Sequence, residues 1–275
     1  MRTAAPLRTV FSRARTEGRA ALVGYLPAGY PSVDGAISAL LAMVDAGIDV
    51  IEVGLPYSDP LMDGPTIQQA VDAALRSGTT TSDVLRTVES VAATGVPAVV
   101  MSYWNPVGRY GSARFARDLA SAGGAGVIIP DLVPDEADDW LPAAREHDID
   151  TVFLVAPSST DQRIALTVDA CRGFVYAAST MGVTGARSQV GAAAATLVDR
   201  VRMVTDLPVA VGLGVSTAEQ AAEVAGFADG VIVGSAFVRQ LLDAPGAESG
   251  AKACAGLTAE LAAGVRRPRQ ERSTA

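Results

Sequence analysis

Short apolar runs alternate with longer stretches of helical periodicity along the whole chain, and this alternation restricts the fold more than any other feature of the sequence. Residues 21–26, 50–54, 98–103, 126–130, 151–156, 174–179, 209–212 and 231–234 read as strands. Between and after them, helical patterns cover 33–46, 66–76, 81–93, 112–122, 135–146, 161–171 and 191–204, with Ala-rich helices behind the last two strands. Runs such as Ala-Val-Val-Met, Val-Phe-Leu-Val and Val-Ile-Val are apolar throughout, as expected of parallel strands covered on both faces. Strict alternation implies a parallel sheet with helices outside it. Eight such units in about 250 residues match an α/β fold of the (β/α)8 TIM-barrel type. A doubly wound open sheet would also alternate, but no G-x-G-x-x-G follows the first strand. No Pro/Gly/Ser-rich linker divides the 275 residues, so 1–275 reads as one barrel domain. It has an N-terminal helix and extra helices in its loops, and the ends, 1–6 and about 265–275, are expected to be poorly ordered.

The residue inventory narrows the chemistry. There is one histidine, His147, one lysine, Lys252, and two distant cysteines, Cys171 and Cys254. A zinc site needs several His or Cys ligands, so no metal site is expected. Imine and pyridoxal-phosphate chemistry need a lysine in the site, and Lys252 lies near the tail. The net charge of -8 and the lack of a basic patch interleaved with aromatics disfavour nucleic acid. No apolar run reaches the ~18 residues of a membrane span, and two scattered cysteines make no disulfide framework. The expectation is a cytoplasmic protein. Residues 1–19 carry five arginines and one acid, Glu17, a composition found in targeting segments. Leu7, Val10, Phe11 and Ala14, at i, i+3, i+4, i+7 spacing, favour a helix packed on the core instead.

Barrel enzymes place their sites on the loops after the strands. Glu52 stands inside the apolar strand Val50-Ile51-Glu52-Val53-Gly54. It is either a buried carboxylate paired with an arginine or backbone donor, or a carboxyl whose apolar setting raises its pKa until it can shuttle a proton. The loop that follows, Leu55-Pro56-Tyr57-Ser58-Asp59-Pro60-Leu61-Met62-Asp63-Gly64-Pro65, is stiffened by prolines. Asp59 and Asp63 could each simply form turns, but Asp63 shares a loop with Glu52, and two carboxyls in unlike settings can divide acid and base roles. Glycine-rich turns occur at Met181–Gly185, Gly212–Ser216 and Gly234–Ala236. They either close tight strand-to-helix turns or cradle a phosphate, as the last two loops of this fold commonly do. Tyr103 and Trp104 are either a ligand wall or rim packing, and Tyr176 points into the barrel or into a helix contact. His147, just before a strand, belongs at the opposite, N-terminal face.

The run from Ile51 to Gln68, with Glu52 and Asp63 inside it, resembles the signature of the tryptophan synthase alpha chain family. Leu26-Pro27-Ala28-Gly29, Pro130-Asp131-Leu132-Val133, Ala156-Pro157-Ser158-Ser159, Gly182-Val183-Thr184-Gly185 and Gly212-Leu213-Gly214 match in order. The resemblance implies a carbon–carbon lyase that cleaves indole-3-glycerol phosphate to indole and glyceraldehyde 3-phosphate in tryptophan biosynthesis, with no cofactor of its own. It implies that Glu52 is the general acid and base and that Asp63 accepts the indole N–H. Tyr103 and Tyr176 fall in its substrate pocket, Gly185, Gly214, Gly234 and Ser235 at its phosphate positions, and Thr184 in a loop that closes over the substrate. Thr180, Tyr57 and Tyr25 stand where the family often has arginine, phenylalanine and threonine. The resemblance also implies a partner, a pyridoxal-phosphate-dependent beta chain in an alpha2beta2 assembly, docked on Pro56, Asp59, Pro60 and Asn105. A stand-alone indole-releasing lyase would share almost every motif. A non-catalytic activating subunit would be expected to lack Glu52 or Asp63, and other sugar-phosphate barrels would be expected to carry lysine or histidine at strand ends.

Overall fold

A computed structural model describes residues 6–178, 187–212 and 214–267. Nine parallel strands form one sheet: β1 (Ala21–Pro27), β2 (Val50–Gly54), β3 (Ala98–Met101), β4 (Gly126–Ile128), β5 (Asp150–Val152), β6 (Leu154–Val155), β7 (Val175–Ala178), β8 (Val209–Gly212) and β9 (Gly230–Val233). Their order is β5-β4-β3-β2-β1-β9-β8-β7-β6. β5 and β6 are halves of one stave broken at Phe153, where one half pairs with β4 and the other with β7. The Phe153 N–H turns to Cys171 Sγ at 3.4 Å while its carbonyl accepts from Tyr176 at 3.2 Å. The two ends of the sheet therefore meet at this stave, and the eight-staved barrel expected from the alternation closes there. An open doubly wound sheet is excluded.

The helices are α1 (Leu7–Thr16), α2 (Val33–Asp45), α3 (Pro65–Arg76), α4 (Thr81–Ala92), α5 (Trp104–Tyr110), α6 (Ser112–Ser121), α7 (Trp140–Glu146), α8 (Asp161–Ala170), α9 (Arg187–Arg202), α10 (Ala218–Ala225), α11 (Ser235–Asp243) and α12 (Ala247–Val265). Side-chain caps start several of them: Ser32 for α2, Thr80 in a reciprocal capping box for α4, Thr160 for α8 and Thr217 for α10. Of the boundaries that differ from the sequence reading, two have a clear local cause. The helix expected over 135–146 is a short 3-10 turn, Pro134–Glu136, followed by α7. Pro142 lacks an N–H and would clash with the carbonyl four residues back, so α7 cannot extend toward Asp138. The strand expected to reach Tyr103 stops at Met101, because Tyr103 caps a further helix, α5.

Two apolar layers hold the barrel. Outside, the strands pack on the helix ring, with Phe115, Trp140 and Phe237 among its fully buried side chains. Inside, Ala21, Val23, Val50, Val99, Ile128, Val152, Phe174, Ala210 and Ile232 form one cluster with Leu7, Val10, Phe11 and Ala14 of α1. The arginine-rich N-terminal segment is thus a helix that plugs the amino-terminal end of the barrel, with the Phe11 and Phe174 rings 5.2 Å apart. Two of its arginines, Arg13 and Arg15, face acids at that end. Arg15 lies 3.3 Å from Asp229, which also accepts from the Val209 N–H that begins β8. Beyond α1, Arg19 makes a two-pronged bond to Asp49 at 2.6 and 2.8 Å, and Asp49 also takes the Leu22 N–H of β1 at 2.9 Å. Among the described residues no helix is long and apolar enough to cross a membrane. The chain ends expected to be poorly ordered lie mostly outside the described residues.

Candidate active site

Side chains two apart on a strand share a face, so Glu52 points the same way as Val50, into the barrel. It stands two positions above Val50 of the apolar floor, in register with Tyr25 on β1 and Val99 on β3. Glu52 is 3% exposed and pairs with no cation among the described residues; its Oε2 has no hydrogen-bond partner. Burial pushes its carboxyl up to about 8, and the nearby charge of Asp63 adds to the rise. The paired-glutamate reading fails here. What remains is a neutral carboxyl holding an unused proton.

Asp63 ends the loop after β2 and is half-buried. Its Oδ1 accepts a hydrogen bond from the Tyr103 hydroxyl at 3.2 Å, and that hydroxyl accepts from the Met62 N–H at 3.0 Å. Burial raises the Asp63 carboxyl above its ordinary value, and the Tyr103 bond, which favours the carboxylate, works against that rise. The two carboxyls therefore differ in setting: the Glu52 Oε2 has no hydrogen-bond partner among the described residues, while Asp63 is held as an acceptor.

Two further phenols complete the wall. Tyr176 is raised by burial and then by Glu52, which places it beside that carboxyl. Tyr25 is raised by burial and then by Asp63, Glu52, Tyr103 and Tyr176, so it stands among all four. Glycines make room for these rings: a Cβ at Gly54 would meet the Tyr25 hydroxyl at 2.4 Å, and one at Gly212 the Tyr176 hydroxyl at 2.6 Å. The sequence reading did not count Tyr25 as a site residue. The strand alternation that turns Val23 inward turns Tyr25 inward too, two positions nearer the mouth, and that signal could have found it.

The glycine turns lie at the same end of the barrel. Gly214 has φ +67°, a left-handed conformation that favours glycine. Gly234 follows β9 and caps α11, which begins at once with the exposed Ser235, so its first-turn amides face the mouth. Thr184 and Gly185, with Thr180, lie outside the described residues. At the rim Asp59 and Asn105 are exposed, Pro60 is half-buried and Pro56 is buried. Leu61 and Met62, in the same loop, are 78% and 53% exposed. His147 lies at the opposite end, where it lines a cavity of about 710 Å³ with Asp150 and Arg172. No three potential ligand side chains come together as a metal site among the described residues.

Fold and site together define a parallel (β/α)8 barrel with two carboxyls withdrawn from solvent at the carboxyl end of its strands, the end where barrel enzymes carry their active sites. The family model described as tryptophan synthase alpha chain matches residues 11–266. A tryptophan synthase alpha chain of Salinispora arenicola is 64% identical over 258 residues, covering 94% of this chain and 97% of that one. One from Mycobacterium intracellulare is 60% identical over 263 residues, covering 96% and 95%. A solved structure of Mycobacterium tuberculosis tryptophan synthase aligns with TM-score 0.89 at 58% identity, over 96% of this chain and 99% of that one. The chain belongs to the tryptophan synthase alpha chain family and is a lyase of tryptophan biosynthesis.

Proposed function

We propose that the chain cleaves indole-3-glycerol phosphate by a retro-aldol reaction in which Glu52 is the acid and base and Asp63 the acceptor of the indole N–H. The observation that carries this reading is Glu52 itself: a buried, unpartnered carboxyl near pKa 8 beside a second, oriented carboxylate. At neutral pH Glu52 holds a proton that it can give to indole C3. Positive charge then develops on the ring nitrogen, where the Asp63 carboxylate accepts the N–H. The glycerol hydroxyl next to C3 returns its proton to Glu52 as the carbon–carbon bond breaks. The bond's electrons restore the aromatic indole, and the hydroxyl oxygen becomes the aldehyde of glyceraldehyde 3-phosphate. Proton, electron pair and leaving group balance with no outside reagent, which suits a site offering neither lysine nor histidine. Tyr103 and Tyr176 wall the ring, and Gly214, Gly234 and Ser235 hold the phosphate with backbone and hydroxyl groups. Thr184 and Gly185 take their family roles of loop closure and phosphate contact.

The rim supports a partner reading. Asp59 and Asn105 are exposed there together with two apolar side chains, Leu61 and Met62. The occupant we propose is a beta chain carrying pyridoxal phosphate, in an alpha2beta2 assembly in the cytoplasm. No observation favours the stand-alone lyase, another sugar-phosphate barrel, or a non-catalytic subunit. The test is indole release from indole-3-glycerol phosphate by the purified chain. Glu52→Gln should fold normally and release no indole, and wild-type turnover by that variant would sink the mechanism.

A further inference from the structure

Two residues at the start of α5, Tyr103 and Asn105, hold the loop that carries Asp63. Tyr103 grips its far end, taking the Met62 N–H at 3.0 Å and giving its hydroxyl proton to Asp63 at 3.2 Å. Asn105 grips its near end, where its Nδ2 donates to the Tyr57 hydroxyl at 3.0 Å. Between them the Trp104 N–H is fixed by Asp131 at 2.8 Å, which anchors α5 to the loop after β4. The Tyr57 and Tyr103 rings meet with centroids 5.5 Å apart, tilted by 37°. Tyr57 is thus the loop's own contribution to the clamp, bonded at its hydroxyl to Asn105 and braced at its ring against the phenol that orients Asp63.

We propose that Tyr57 is a positioning residue for the cleavage reaction: its hydroxyl bond to Asn105 fixes the ring against which Tyr103 rests, and so fixes the Asp63 carboxylate. The inference rests on the proposed role of Asp63. Tyr57 touches neither Asp63 nor Glu52 through a hydrogen bond and acts only through Tyr103. Its effect belongs in the transition state, where charge on the ring nitrogen needs an aligned acceptor, and not in substrate affinity.

The test uses the isolated full chain as Tyr57→Phe, Asn105→Ala and the double variant. Tyr57→Phe keeps the ring and removes only the hydroxyl. Each single variant should lower kcat about three- to tenfold with KM nearly unchanged, the scale of one hydrogen bond. The double variant should fall no further than the singles, because both remove one bond. Effects that multiply, or a change confined to KM, would overturn the proposal. A second readout is independent of activity. Carbon-13 titration of Asp63, whose neighbours are Tyr103, Tyr25 and Glu52, should move up by about half a unit in Tyr57→Phe as the Tyr103 bond slackens. An unmoved titration also overturns the proposal. If the wild-type chain does not cleave the substrate, the functional reading falls while this titration still decides the role of Tyr57.

Discussion

Glu52 and Asp63 carry the same chemical group in different settings, and the difference comes from what each touches. Burial, with the charge of Asp63 adding to it, favours the neutral form of Glu52 and pushes its carboxyl up to about 8, and its Oε2 has no hydrogen-bond partner among the described residues. Asp63 also rises with burial, but the Tyr103 hydroxyl gives it a reason to stay ionised. The sign of the pH dependence follows. As pH rises through about 8 Glu52 loses the proton that C3 needs, so kcat/KM should fall on that side. As pH drops through the raised Asp63 value the acceptor is protonated, and kcat/KM should fall again. A kcat/KM profile from pH 5 to 10 checks this, and a plateau extending past pH 9 would contradict the assignment to Glu52. Both carboxyls were legible in the sequence, one as a charge inside an apolar strand and the other as an acid in a proline-stiffened loop. Their couplings were not. The Tyr103–Asp63 and Asn105–Tyr57 bonds join residues 40 and 48 apart in sequence, and no local pattern records such pairs.

At the scale of elements, the period of the apolar pattern located the strands and most helices, because burial on two faces leaves a strong local signal. It failed where tertiary hydrogen bonds decided the outcome. The stave split at Phe153 depends on a thiol from the following helix end, and the start of α5 depends on Asp131 from another loop. The most exacting polar contact lies under the barrel, where Arg19 and Asp49 are nearly inaccessible and share two short bonds. Asp49→Ala would leave the buried Arg19 guanidinium with only Glu17 and the Ala20 carbonyl, and the Leu22 N–H without its acceptor. Urea unfolding should show a loss of about 1–3 kcal/mol. The pair replacement Arg19→Met with Asp49→Leu should lose much less, and equal losses in both would show that the ion pair itself supplies the stability.

Over the whole molecule, the two ends of the barrel divide the work of stability and chemistry. The amino-terminal end carries α1 and the Arg19–Asp49 and Arg15–Asp229 pairs, and the carboxyl end carries every candidate site residue described and the exposed Leu61 and Met62. A partner seated on that rim would bear on Asn105, and through Tyr57 and Tyr103 on Asp63. Adding a tryptophan synthase beta chain should therefore raise indole-3-glycerol phosphate turnover about fivefold or more, the range of ordinary coupling between sites. Turnover that stays flat in the same assay would favour a lyase that acts alone. The position of α1 has one more consequence. With Leu7, Val10, Phe11 and Ala14 sealed into its floor, the barrel is a blind well. With that end filled among the described residues, substrate and products pass at the carboxyl end, and whatever covers that end governs where the indole goes next.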